Sequence, residues 1–96
     1  MHPHESAAQR AASIGGLEPD ALLRRSALAE ALTAAGFPTA TATLATKASR
    51  GGGPPFRLYS RIPLYRWGDA LAWAEGRLSP PVRSSAELDA QRNAAA

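Results

Sequence analysis

The side chains able to do chemistry are unevenly distributed along this chain. Residues 21–67 carry Arg24, Arg25, Lys47, Arg50, Arg57, Arg61 and Arg66 against Glu30 alone. The remainder carries Arg10, Arg77, Arg83 and Arg92 against Glu5, Glu18, Asp20, Asp69, Glu75, Glu87 and Asp89. A basic block between more acidic flanks suits a polyanion, most simply nucleic acid. Other chemistries find little support. With no cysteine, disulfides, thiolate-bound zinc and thiol nucleophiles are excluded. The only histidines, His2 and His4, stand beside Glu5 without the spacing or rigidity of a metal site. Asp69, Glu75 and Glu30 form no pair placed for acid–base work. The chain is read as a non-enzyme, with no catalytic residue, no metal and no cofactor.

Size agrees with that reading. At 96 residues the chain holds one small domain at most. Eight glycines and eight prolines give part of it to loops and tails. A folded part of about 60 residues is marginally stable and too small for a deep catalytic cleft. A small chain without cysteine points to a reducing compartment. The expected location is cytoplasmic, with nucleoid association when bound. The start, MHPHESAAQR, lacks the basic-then-apolar order of a signal peptide. No apolar run approaches the ~20 residues of a membrane span, so no membrane partner is expected.

The elements that would position these cations are legible from spacing. Residues 1–20 read as a flexible N-terminal tail, 21–79 as the folded domain and 80–96 as a flexible C-terminal tail. Leu28, Ala31, Leu32 and Ala35 recur at helical steps and Gly36 follows, which predicts a helix over 25–35. Leu22 and Leu23 lead into it and should pack on the core, and Phe37 should plug it. The Thr-Ala alternation of 39–46 fits a strand. A Thr cap, the Leu44, Ala45, Ala48 face and the Gly51–Gly53 stop favour a helix over 41–50. Its outward side would carry Thr43, Thr46, Lys47, Ser49 and Arg50. Residues 56–65 alternate about Ser60-Arg61 as an exposed two-stranded hairpin. Pro63 must lie on an edge or at a bulge, since it cannot donate to a ladder. A third helix follows over 67–78, with Asp69 in its first turn. Ala70, Trp73 and Ala74 form its inner face, and Trp73 is the foremost core candidate. Tyr65 and Trp67 also read as structural. Residues 84–87, Ser-Ser-Ala-Glu, have a capping-box pattern, yet only Leu88 beyond them is large and apolar. That segment is expected to be disordered, or to form a helix on a partner.

The predicted order is helix, turn, helix, glycine-rich break, hairpin, helix. A second helix bearing Lys, Arg and short polar side chains suits the major groove. Arg57 and Arg61 would sit beside it on the hairpin. Arg66 and the start of the third helix would reach phosphates, as would Arg24 and Arg25 at the start of the first.

Residues 53–73, GPPFRLYSRIPLYRWGDALAW, resemble the winged helix-turn-helix of the excisionase and AlpA-like proteins of the MerR superfamily. The resemblance rests on Gly53-Pro54-Pro55-Phe56, Tyr65-Arg66, Asp69 and Trp73, preceded by Thr43-Leu44 and Arg50-Gly51. It covers about residues 22–78. It implies a small α+β winged helix-turn-helix, ordered helix, helix, β-hairpin wing, helix. It implies double-stranded DNA as partner, other protomers bound cooperatively on adjacent repeats, and a site-specific integrase steered toward excision. Arg24, Arg25, Thr43, Thr46, Lys47, Arg50, Arg57, Arg61 and Arg66 would be the DNA-binding residues. A promoter-binding transcriptional regulator of the same fold is the alternative. A protein-interaction module, acting through the C-terminal segment, stands further off.

Overall fold

The computed structural model describes residues 17–95; His2, His4, Glu5, Arg10 and the rest of residues 1–16 lie outside it. Among the described residues the chain forms a small α+β unit of four helices and a three-stranded antiparallel sheet. In order these are β1 (Leu22–Leu23), α1 (Arg25–Ala34), α2 (Thr41–Arg50), β2 (Arg57–Tyr59), β3 (Ile62–Arg66), α3 (Trp67–Glu75) and α4 (Ser85–Ala95).

Helices α1 and α2 each stop for a local reason. At the end of α1, Gly36 takes φ 103°, a conformation glycine adopts without a Cβ penalty. Phe37 N–H then donates to Leu32 O at 2.8 Å and Gly36 N–H to Thr33 O at 3.1 Å. This paired closure is the Schellman arrangement, and it lays half-buried Phe37 against the core beside Leu32. The connector is clamped as well. Thr39 N–H donates to Thr33 Oγ1 at 3.1 Å, and Thr33 Oγ1 donates to Thr39 O at 3.2 Å. At the end of α2, Gly51 N–H donates to Lys47 O at 2.7 Å, with Gly51 at φ 97°.

The sheet differs from the expected hairpin. Its order is β1-β3-β2, so β3 is central and Leu22-Leu23 is a third strand. The pairs are Leu22↔Arg66 and Leu23↔Tyr65 on one side, and Arg57↔Leu64, Leu58↔Pro63 and Tyr59↔Ile62 on the other. A two-residue strand has too few positions to show an alternation, which is why sequence reading missed it. Pro63 is nonetheless accommodated as edge geometry demands. Strand β1 stops at the level of Tyr65, so no neighbour seeks a proton from Pro63 on that side.

The core lies between the inner sheet face and the helices. Leu28, Ala29, Leu32, Leu44, Tyr65, Trp67, Ala70, Leu71 and Ala74 are buried. Trp67 is completely covered, whereas Trp73 is only partly buried. The expectation that Trp73 leads the core is therefore corrected. Helix α3 begins one residue after β3, so Trp67 is the side chain that swings directly beneath the sheet. Trp73 lies at the rim, where its Nε1 donates to Gly52 O at 2.9 Å. That bond ties the glycine segment to α3, so the segment is not a free hinge.

The folded unit also starts earlier than residue 21. Leu17 packs on the core. Trp67 N–H donates to Ala21 O at 2.9 Å and Gly68 N–H to Pro19 O at 2.8 Å. At the other end, residues 85–95 are helical, with Glu87 N–H bonded to Ser84 Oγ at 3.2 Å and Arg83 N–H to Glu87 Oε2 at 2.8 Å. The capping pattern thus forms a helix on its own segment. Among the described residues no helix is long and apolar enough to cross a membrane.

Candidate nucleic-acid interface

Helix α2 buries Leu44 and half-buries Ala45, Lys47 and Ala48. Thr43, Thr46, Ser49 and Arg50 are exposed. Residues three and four apart are neighbours on a helix surface, so Thr43, Thr46, Lys47 and Arg50 form one continuous strip. Ala42, Thr43, Thr46 and Lys47 line a shallow groove along it. The stem of Lys47 lies against Gly53, where an added Cβ would stand 2.9 Å from Lys47 Cβ. Lys47 is thus partly covered at its stem, while Arg50 is exposed at the helix end.

A second hollow joins three elements. It is lined by Arg24, Arg25 and Ser26 from the start of α1, Thr41 and Ala45 from α2, and Pro63 from β3. Arg25 is anchored there. Its Nε donates to Tyr65 Oη at 3.0 Å, and its guanidinium carbon lies 5.8 Å from the Tyr65 ring centroid. Tyr65 in turn stacks at a tilt on Phe56, with ring centroids 5.5 Å apart. Arg24 is exposed beside it. The N-terminus of α2 opens near this hollow, without a side-chain cap and without an acid in its first turn. Free N–H groups and the helix dipole give such an end a positive character. Among the described residues, the acid Glu30 lines a neighbouring groove with Thr41.

The expected cations divide into two groups. Arg24, Arg25, Lys47, Arg50, Arg57 and Arg61 form no ion pair among the described residues. Their charge is not neutralised by ion pairing among the described residues. Arg66 differs. Its Nε donates to Asp20 Oδ1 at 2.9 Å, its Nη2 donates to the same oxygen, and its Nη1 donates to Asp69 Oδ1 at 3.1 Å. The hydrogen bond to Asp20 is the main cause of a pKa raised above the ordinary arginine value. Arg66 thus differs from the other cations, because two carboxylates already hold its Nε, Nη1 and Nη2. The start of α3 is likewise occupied, since Ala21 and Pro19 carbonyls take its first two N–H groups.

On the hairpin, Arg57 and Arg61 are exposed, but they do not share a setting. Arg57 pairs with Leu64 and so lies on the sheet face away from Tyr65, whereas Arg61 is in the turn with Ser60, whose φ is 56°. Leu58, opposite Pro63, lies on the same face as Tyr65 and is 65% exposed. Sequence reading missed Thr41, Ala45 and Pro63 as walls of the hollow. The four-residue step from Thr41 to Ala45 was visible, but the approach of Pro63 was not. Among the described residues no group of three or more His, Cys, Asp or Glu could hold a metal ion.

No family model, curated protein or solved structure matches this chain.

Proposed function

We propose that the chain is a winged helix-turn-helix protein that binds double-stranded DNA, with α2 in the major groove and the β2–β3 hairpin as the wing. One observation carries this reading. Two surfaces, the outer strip of α2 and the hollow at the start of α1, present cations with no carboxylate partner among the described residues. Lys47 and Arg50 suit base edges or the phosphates flanking them, and Thr43 and Thr46 suit base edges. Arg24 and Arg25 suit the backbone strand between helix and wing, and Arg61 the adjacent minor groove. The resemblance of residues 53–73 to excisionases directs the reading to a recombination directionality factor. Such a factor binds repeated sites near an attachment site, bends the DNA and steers an integrase toward excision. Deformation of the DNA would be offset by the contacts of several protomers.

The test is recovery of genomic fragments bound by the full chain at physiological salt with competitor DNA, followed by salt titration on an enriched site. Affinity should fall with a log–log slope of about −0.9 per phosphate neutralised. The double variant Lys47→Ala, Arg50→Ala should bind the site at least tenfold more weakly. Enrichment beside a recombination attachment site supports excision, and enrichment confined to promoters replaces it with transcriptional regulation. If no fragment is enriched, or the double variant binds as wild type does, the DNA reading fails.

A further inference from the structure

The sheet presents one face to the helices and, among the described residues, leaves the other open. Directly opposite residues share a face. Tyr65, Leu23, Pro63 and Leu58 therefore lie on the inner face, and Leu22, Arg66, Leu64, Arg57, Ile62 and Tyr59 on the outer one. An antiparallel sheet with one wet face normally turns polar side chains to water. Here Leu22, Ile62, Leu64 and Tyr59 break that rule. Leu22 is 56% and Tyr59 70% exposed, and Ile62 and Leu64 are half-buried between them.

The polar groups on this face are sorted by sign. At the β1 end, Arg66 gathers Asp20 and Asp69, whose side chains are 85% and 48% exposed. On the opposite edge strand stands Arg57, without an ion pair among the described residues. An apolar stripe with a net-negative Arg66–Asp20–Asp69 cluster on one side and a lone cation on the other matches itself after a half-turn. We propose that this outer face joins two copies of the chain in an isologous contact. A two-fold axis lying in the contact plane and running diagonally over Leu64 seats Leu22 of each copy on Tyr59 of the other. The same rotation brings Arg57 of each copy over the net-negative Arg66–Asp20–Asp69 cluster of the other.

Size sets the strength. Three strands spaced by about 4.8 Å and a five-residue β3 make a face of roughly 300 Å². A stable complex buries about 800 Å² per partner. The contact is therefore weak for free copies and is made when the chain is concentrated or two copies are held together. The α2 strip and the Arg24–Arg25 hollow belong to other surfaces and stay free in such a pair, so the inference does not rest on the DNA reading.

The absence of native cysteine makes a direct test possible. Full-length Leu22→Cys, Tyr59→Cys and Leu78→Cys variants are purified, checked for native circular dichroism, mixed in pairs and oxidised mildly. Leu78 is 65% exposed but lines a different hollow, beside Phe37, Trp73 and Arg77. The Leu22→Cys and Tyr59→Cys pair should cross-link at least tenfold faster than either does with Leu78→Cys. Adding Arg57→Glu to both members should slow that reaction several-fold. Cross-linking no faster than the Leu78→Cys control overturns the proposal. So does faster pairing of Leu22→Cys with itself and Tyr59→Cys with itself than with each other. An unchanged rate with Arg57→Glu removes the charge matching and overturns the orientation proposed.

Discussion

Tyr65 Oη accepts a hydrogen bond from Arg25 Nε at 3.0 Å, so the first turn of α1 is latched to the central strand of the sheet. The two residues are 40 positions apart. The bond aims a cation from the hollow and satisfies the one polar atom of a tyrosine whose residue is 1% exposed. Tyr65→Phe keeps the ring in the core and removes only the acceptor. It should lower unfolding stability by about 1 kcal/mol, read by urea denaturation. An unchanged midpoint would show that solvent satisfies Arg25 equally well.

Arg66 and Arg24 should behave differently. Arg66→Ala removes the link among β3, Asp20 and Asp69 and should lower the melting temperature slightly. On the proposed DNA reading it leaves the salt dependence of binding unchanged, whereas Arg24→Ala reduces the slope by about 1. The pKa of Arg66 is raised, so its folded form holds the proton more tightly than the unfolded form. That contribution is present below the ordinary arginine value and is lost only as pH rises through the raised one. Equal slope changes for the two variants would return Arg66 to the interface.

Gly53 is required by close approach rather than by backbone angle. An added Cβ would meet Lys47 Cβ at 2.9 Å. Gly53→Ala should therefore cost about 1–3 kcal/mol, as overpacking does, and displace the Lys47 stem. Gly51 has open space around it but a φ of 97°, so Gly51→Ala is penalised through the backbone instead. Thermal melts of both variants test this. If Gly53→Ala melts as wild type does, the contact is looser than the geometry indicates.

The two tryptophans should differ in weight. Trp67→Ala empties the centre of the core and should cost about 3–5 kcal/mol, a large share of the 5–15 kcal/mol of an ordinary domain. Trp73→Ala loses the bond to Gly52 O, the rim packing and the Arg77 guanidinium 4.9 Å over its ring. It should cost less than Trp67→Ala. Trp67 Nε1 has no hydrogen-bond partner among the described residues, so Trp67→Phe should be milder than Trp67→Ala. Denaturant midpoints rank all three variants, and a reversed order of Trp67→Ala and Trp73→Ala would contradict the burial pattern.

Much of the fold was legible along the chain because its causes are local. Helices α1 and α2 follow from three- and four-residue apolar steps and from Gly36 and Gly51 at their ends. The hairpin follows from alternation about Ser60-Arg61; Ser84 and Glu87 marked a capping pattern, but the segment after them was expected to be disordered or to fold on a partner, and it is helical. The unpaired state of Lys47 and Arg50 was also visible in outline, since no acid occurs between Glu30 and Asp69.

What the tertiary structure alone decided is non-local. Leu22-Leu23 becomes a strand only because β3 offers it a partner, and a two-residue element carries no period of its own. Arg66 had only Asp69 near it in sequence until the fold delivered Asp20 from 46 positions away. Trp67 and Trp73 are equally apolar, and the junction of β3 with α3 determined which one is covered. The joining of Arg24, Arg25, Thr41, Ala45 and Pro63 around one hollow, and the open apolar outer face of the sheet, depend on how the elements cross. Spacing sets which face of a helix or strand a side chain occupies, but the partner that covers that face, or fails to, comes from elsewhere in the chain.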